Sequence, residues 1–145
     1  MYKCILLAYD GSATGQQALL ASHEIAQWSH AELMLIAVMP LPLVALGSES
    51  GVHNPTLQEN EEMRYQAILD SGVRQLSEGG LNARGEVVTG DPVHEIVRCA
   101  HRIEADLIVV GHQHLDGWAA RWWRGSVSKS LIEHAPCSVL VVITH

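Results

Sequence analysis

Positive charge, cysteine and long apolar runs are all scarce in this chain, and each shortage removes a class of function. Nine Lys and Arg stand against sixteen Asp and Glu, for a net charge of −7. Overall charge therefore repels nucleic acid and anionic membrane surfaces, and only a local basic patch would reverse that. Three cysteines, Cys4, Cys99 and Cys137, are odd in number and far apart. They form neither a disulfide framework nor a CxxC metal site. No apolar run approaches the ~20 residues of a membrane span, and the opening "MYKCILLAYD" turns acidic too soon for a signal peptide. These features lead us to expect a reduced, cytoplasmic protein.

The familiar catalytic and nucleotide signatures are missing as well. No GxGxxG follows the first apolar run, no GxxxxGK[ST] occurs, and there is no GxSxG elbow. Dinucleotide binding of the usual kind, P-loop hydrolysis and serine hydrolysis are all disfavoured. No residue is placed as a general base, so no efficient enzyme is visible.

What is present is order. The chain of 145 residues is 48% hydrophobic and 17% charged, the make-up of one folded domain over 1–145 with no boundary or repeat. Near-continuous apolar runs at 4–9, 32–39, 106–111 and 138–144 match parallel strands buried on both faces. A more polar run at 83–90 suits a strand nearer an edge. Helical spacing fills the gaps at 13–29, 58–78, from Pro92 onwards, and at 126–135. Asp91 is placed as an N-cap, with Pro92 at the first helical position. The alternation β-α-β-α-β-α-β-α-β predicts an α/β fold: a five-stranded parallel sheet, doubly wound, with helices on both faces. One connection, 40–60, is long and rich in Pro, Gly and Ser, which marks it as functional or mobile.

In such sheets ligands collect outside the carboxyl ends of the strands, where strand order reverses. "YDGS", "VMP" and "GHQH" emerge there. Asp10 would accept hydrogen bonds from a ribose or hold a metal; equally, it would form an Asx-turn or start a helix. Gly111 would let the chain turn sharply and bring its N–H groups close to a ligand. Gly125-Ser126 opens the last helix, whose free N–H groups favour an anion, while Ser126 alone would serve as a cap. His112 and His114, with Asp116 and His134, supply only part of a metal site. Trp118, Trp122 and Trp123 would cover the core or a subunit contact, or stack on a base. Arg121 and Arg124 would meet phosphates, stack on indole rings or be solvated.

The segments "ILLAYDGS", "GDPVHEIVRCAHRIEADLIVVG" and "GSVSKSLIEHAPCSVLVV" together resemble the universal stress protein family, in the same element order along the whole chain. The resemblance implies the adenine nucleotide alpha hydrolase-like fold and a homodimer joined through the last strand, 138–144. It implies a stress-response module that binds ATP or AMP as a regulatory ligand with little turnover, any Mg²⁺ arriving with the nucleotide. Nucleotide-binding members carry G-x-x-G, nine residues, then G-[S/T]. Here Gly111 matches the first glycine and Gly125-Ser126 the closing pair, but His114 replaces the second glycine and ten residues follow it. Asp10 corresponds to the acidic residue near the ribose and Val38 to the backbone that meets adenine. Ala8, Tyr9 and Ala37 beside them, His112, Arg124 and Val127 complete the expected set. A nucleotide-free protein acting on an unknown protein partner through its dimer surface and tryptophan segment is the alternative that the resemblance leaves open.

Overall fold

The computed structural model describes residues 1–41, 55–113 and 125–144. Five strands, β1 (Cys4–Ala8), β2 (Glu32–Met39), β3 (Ala83–Thr89), β4 (Leu107–Gln113) and β5 (Ser138–Thr144), alternate with four helices. These are α1 (Ala13–Ser29), α2 (Pro55–Glu78), α3 (Pro92–Arg102) and α4 (Gly125–His134). The sheet runs β3-β2-β1-β4-β5 and every pairing is parallel. The chain thus winds outward from β1 to one edge, crosses over, and winds to the other. Strand order reverses between β1 and β4. The polar run expected near an edge is indeed the edge strand β3.

Strand alternation divides the core in two. Ile5 and Leu7 of β1, with Tyr9 just beyond it, face the α1/α2 side, where Leu33 and Leu35 meet Ala18 and Leu19 of α1 and Leu69 and Leu76 of α2. Leu6 and Ala8 face the other side, packing with Met34, Ile36, Ile108 and Val110 against Ile96, Cys99 and Ala100 of α3 and Leu131 of α4. At ~25 cal/mol per Å² of apolar surface, each such side chain contributes roughly 1.5–3 kcal/mol. The apolar strands read as continuous because both faces are covered.

Three boundaries differ from expectation, each for a physical reason. Helix α2 starts at Pro55, inside the stretch assigned to a long loop, because proline at a helix start loses no hydrogen bond. Strand β4 does not turn at Gly111 but continues to Gln113. Its pairing with β5 persists through Gly111↔Val142, His112↔Ile143 and Gln113↔Thr144. Strand β1 ends at Ala8, although the Tyr9 N–H still reaches the Ile36 carbonyl at 3.0 Å. The cap at Asp91 is as expected: its carboxylate accepts from the His94 N–H at 2.9 Å, and Pro92 follows. Residues 42–54 of the long connection lie outside the described residues.

Candidate functional site

The site is built where β1 hands over to α1. Asp10 leaves the sheet with one carboxylate oxygen, Oδ1, accepting from both the N–H (3.0 Å) and the hydroxyl (2.6 Å) of Ser12. Ser12 in turn caps α1, its hydroxyl oxygen accepting from the Gly15 N–H at 3.0 Å. The Asx-turn weighed for Asp10 is therefore present, while the helix start falls to Ser12 rather than to Asp10. Both of its described hydrogen bonds fall on Oδ1. A negative group at a helix start is also electrostatically favoured.

Gly15 is what allows this arrangement, and sequence reasoning missed it. A Cβ at Gly15 would lie 2.5 Å from Asp10 Oδ1 and 3.3 Å from the Ser12 hydroxyl. The signal was available in the spacing D-G-S-x-x-G: a glycine in the first turn of a helix weakens it unless something approaches closely.

Gly111 has a different reason from the one first given. It lies buried within β4, and a Cβ there would meet Thr14 Cγ2 at 2.7 Å and the Thr14 carbonyl oxygen at 2.8 Å. The glycine lets the first turn of α1 rest directly on β4. It does not serve a turn. Thr14 is held from the other side as well, its hydroxyl 3.0 Å from that of Thr144 at the end of β5.

Counted on in register from Ala8↔Ile36 and Leu7↔Val109, Asp10 stands level with Val38 of β2 and His112 of β4. All three are half-buried. Ala8, Tyr9 and Ala37, by contrast, are 3%, 4% and 0% exposed. Their side chains are sealed into the core, so only their backbone groups face the sheet edge. The Tyr9 hydroxyl donates to Gln16 Oε1 at 3.0 Å, and Gln16 donates to Gln75 of α2 at 2.6 Å. Burial pushes this hydroxyl above the ordinary tyrosine range; hydrogen bonding from Gln75 pulls it down and the Asp10 charge pushes it up. Tyr9 is thus a tether between the site and α2.

Gly125 begins α4 at the same sheet edge, because α4 carries the chain back between the parallel strands β4 and β5. Val127 is half-buried and packs into the α3/α4 core cluster. His114, Arg124, Asp116 and the tryptophans 118, 122 and 123 lie outside the described residues. Among the described residues no group of three His, Cys, Asp or Glu converges on a metal position, and no helix is long and apolar enough to cross a membrane.

With this geometry in hand, comparison with known proteins is direct. The model of the universal stress protein family matches residues 1–142. The chain belongs to the universal stress protein family. Its relative YxiE of Bacillus subtilis is 30% identical over 148 residues, spanning 98% of this chain and 99% of its own. A family member from Burkholderia pseudomallei superposes with a TM-score of 0.78 at 28% identity, covering 97% of this chain and 96% of that one. A universal stress protein from Arabidopsis thaliana, solved with AMP bound, has a TM-score of 0.73 at 19% identity, with 99% and 92% covered. Chains of the same fold have also been solved in complex with cAMP and, from Archaeoglobus fulgidus, with dAMP.

Proposed function

We propose that this universal stress protein binds an adenine nucleotide, ATP or AMP, at the β1/β4 edge as a regulatory ligand, with little or no turnover. The observation that carries the reading is the convergence at one sheet edge of an acidic turn (Asp10–Ser12), the half-buried Val38 and the start of α4 at Gly125. Each suits one part of a nucleotide. Val38 offers apolar surface and backbone groups to a base, Asp10 Oδ2 accepts from a ribose hydroxyl, and the α4 start takes phosphate through N–H groups and dipole. Relatives of the same fold holding AMP, dAMP and cAMP support an adenine nucleotide as the ligand class. The reading includes a homodimer joined through β5, an edge strand without charged residues.

One observation favours the nucleotide-free reading. The Asp10–Ser12 turn is hydrogen-bonded within itself.

Nucleotide released on heating the purified protein, followed by calorimetric titration with ATP and AMP plus Mg²⁺, separates the two. The expected outcome is a Kd on the order of micromolar, ~8 kcal/mol, lost in Gly125→Asp, which sets a negative charge at the helix start. No released nucleotide and no heat with either ligand would overturn the proposal and leave the protein-binding reading.

A further inference from the structure

The outer flank of α1 carries Trp28, 83% exposed, which neither the fold nor the nucleotide site uses. Its position round the helix is set by two contacts. Gln16 and His23 face α2, through Gln75 and the Gly79 carbonyl. Thr14 faces the opposite way, to Thr144 of β5. Trp28 lies fourteen residues beyond Thr14, about 40° short of four full turns, so it shares the flank that looks over the free edge of β5. Fourteen residues also rise about 21 Å, against about 20 Å for the six steps from Thr144 back to Ser138. Trp28 therefore stands beside the beginning of β5.

The other face repeats the pattern. α4 runs in the same direction on the opposite side of the sheet, so the helical sense that turns from core towards α2 on α1 turns towards β5 on α4. Ile132, about 100° on from the fully buried Leu131, is 64% exposed and flanks the same edge. Ile143 at the far end of the strand is 51% exposed. The opposite edge of the sheet is quite different: β3 bears Arg84 and Glu86, the latter paired with Arg102 of α3.

We infer that Trp28 and Ile132 are the anchors by which a second copy of this chain closes over β5, one on each face of the joined sheet. The inference rests on the proposed β5 dimer. A second copy is the occupant the edge fits. An uncharged strand that pairs with itself must do so antiparallel about a two-fold axis normal to the sheet, which keeps both α1 helices on one face. The beginning of β5 then meets the end of β5 of the second copy. Trp28 is thereby carried to the start of α1 of the second copy, the turn that holds its Asp10 and Ser12. A seven-residue ladder alone is small beside the ~1,200–2,000 Å² of a standard interface, and two indoles at ~150–250 Å² each supply a substantial share. The same contact couples assembly to the nucleotide edge of each copy.

Sedimentation equilibrium over a dilution series tests this, using wild type, Trp28→Glu, Trp28→Ala, Ile132→Glu and Leu20→Glu. Leu20 is 49% exposed but lies about 120° round α1 from Thr14, on the outer face. The expected result is a wild-type dimer that Trp28→Glu weakens about 30-fold or more, and Trp28→Ala and Ile132→Glu about 10-fold. Leu20→Glu should stay within about 3-fold of wild type, all variants keeping the native circular dichroism. A wild type that is monomeric up to ~100 µM overturns the β5 dimer itself and this inference with it. A wild-type dimer that tolerates both Trp28 variants leaves the strand dimer standing and overturns the anchor alone. Equal damage from Leu20→Glu would put the contact on the wrong face of α1, with the same consequence.

Discussion

Gly111→Ala isolates the contact on which the proposed nucleotide edge depends. The new methyl would sit 2.7 Å from Thr14 Cγ2, 2.8 Å from the Thr14 carbonyl oxygen and 3.0 Å from its carbonyl carbon. A side-chain tip can rotate away, but the other two atoms are backbone. They belong to a helix start pinned on both sides, by the Ser12 cap and by the Thr14–Thr144 hydrogen bond. The strand below cannot yield either, because Gly111 is paired with Val142. Overpacking a tight core costs about 1–3 kcal/mol, and two unyielding backbone contacts place this change at the upper end. For a chain of this size, ~2–4 °C per kcal/mol converts ~2–3 kcal/mol to a fall in Tm of roughly 5–10 °C. Thermal unfolding followed by circular dichroism measures it directly.

The double variant Gly111→Ala/Thr14→Ala sharpens the test. It removes Cγ2 but leaves the carbonyl, so it should recover less than half of the loss. Lifting α1 off β4 also moves Asp10 relative to the sheet edge. Affinity for AMP in the surviving folded fraction should therefore fall together with stability. A Tm within ~1 °C of wild type would refute the close-approach reason for this glycine. Complete rescue by Thr14→Ala would show that the contact is made by a side chain alone.

Removing the Ser12 hydroxyl takes one acceptor from the Gly15 N–H and one donor from Asp10. Ser12→Ala should cost about 0.5–2 kcal/mol in urea unfolding, with a loss below ~0.3 kcal/mol counting against the cap. Alkaline pH tests the buried acids. Burial raises the thiols of Cys4, Cys99 and Cys137 above their ordinary 9.0, and the hydroxyls of Tyr9 and Tyr65 above 10.0. The folded state thus holds these protons more tightly than the unfolded chain. Its advantage is complete below about pH 9 and is lost as pH rises through the folded values. The urea midpoint should fall between about pH 8 and about pH 10.5, less steeply in Cys99→Ala, and a flat or rising midpoint would contradict the burial of these groups.

Much of the fold was legible because it rests on local pattern. Doubly covered strands must be apolar throughout, so four runs such as "DLIVVG" announced themselves, and the polar "ARGEVVTG" announced an edge. Capping is equally local, and Asp91-Pro92 could be read directly. The misreadings at Gly111 depend on partners remote in sequence. β4 passes Gly111 because β5, some thirty residues on, keeps pairing with it. Gly111 is small because Thr14, on the other side of the chain's first crossover, lies against it. Tyr9 was read as a site residue; its ring belongs to the core and its hydroxyl to a network reaching Gln75, which leaves its backbone at the sheet edge. Proximity along the chain to Asp10 gave no hint of that burial, since successive strand residues face opposite sides.

The two helix starts at this edge differ in a way that orients the proposed ligand. α1 already holds its own polar partners, because the Ser12 hydroxyl occupies the Gly15 N–H and Asp10 sets a carboxylate beside it. A phosphate brought there would meet that carboxylate and be repelled. The start of α4 carries no such acid in its first turn. In the proposed complex, phosphate would therefore lie over α4, on the β4 side, and the sugar beside Asp10 at the end of β1. The base is left to β2, where Val38 stands level with Asp10. Strands ~4.8 Å apart put base, sugar and phosphate sites in a line about 10 Å long across β2, β1 and β4. The polarity of the ligand on the sheet thus follows from which helix start is already occupied.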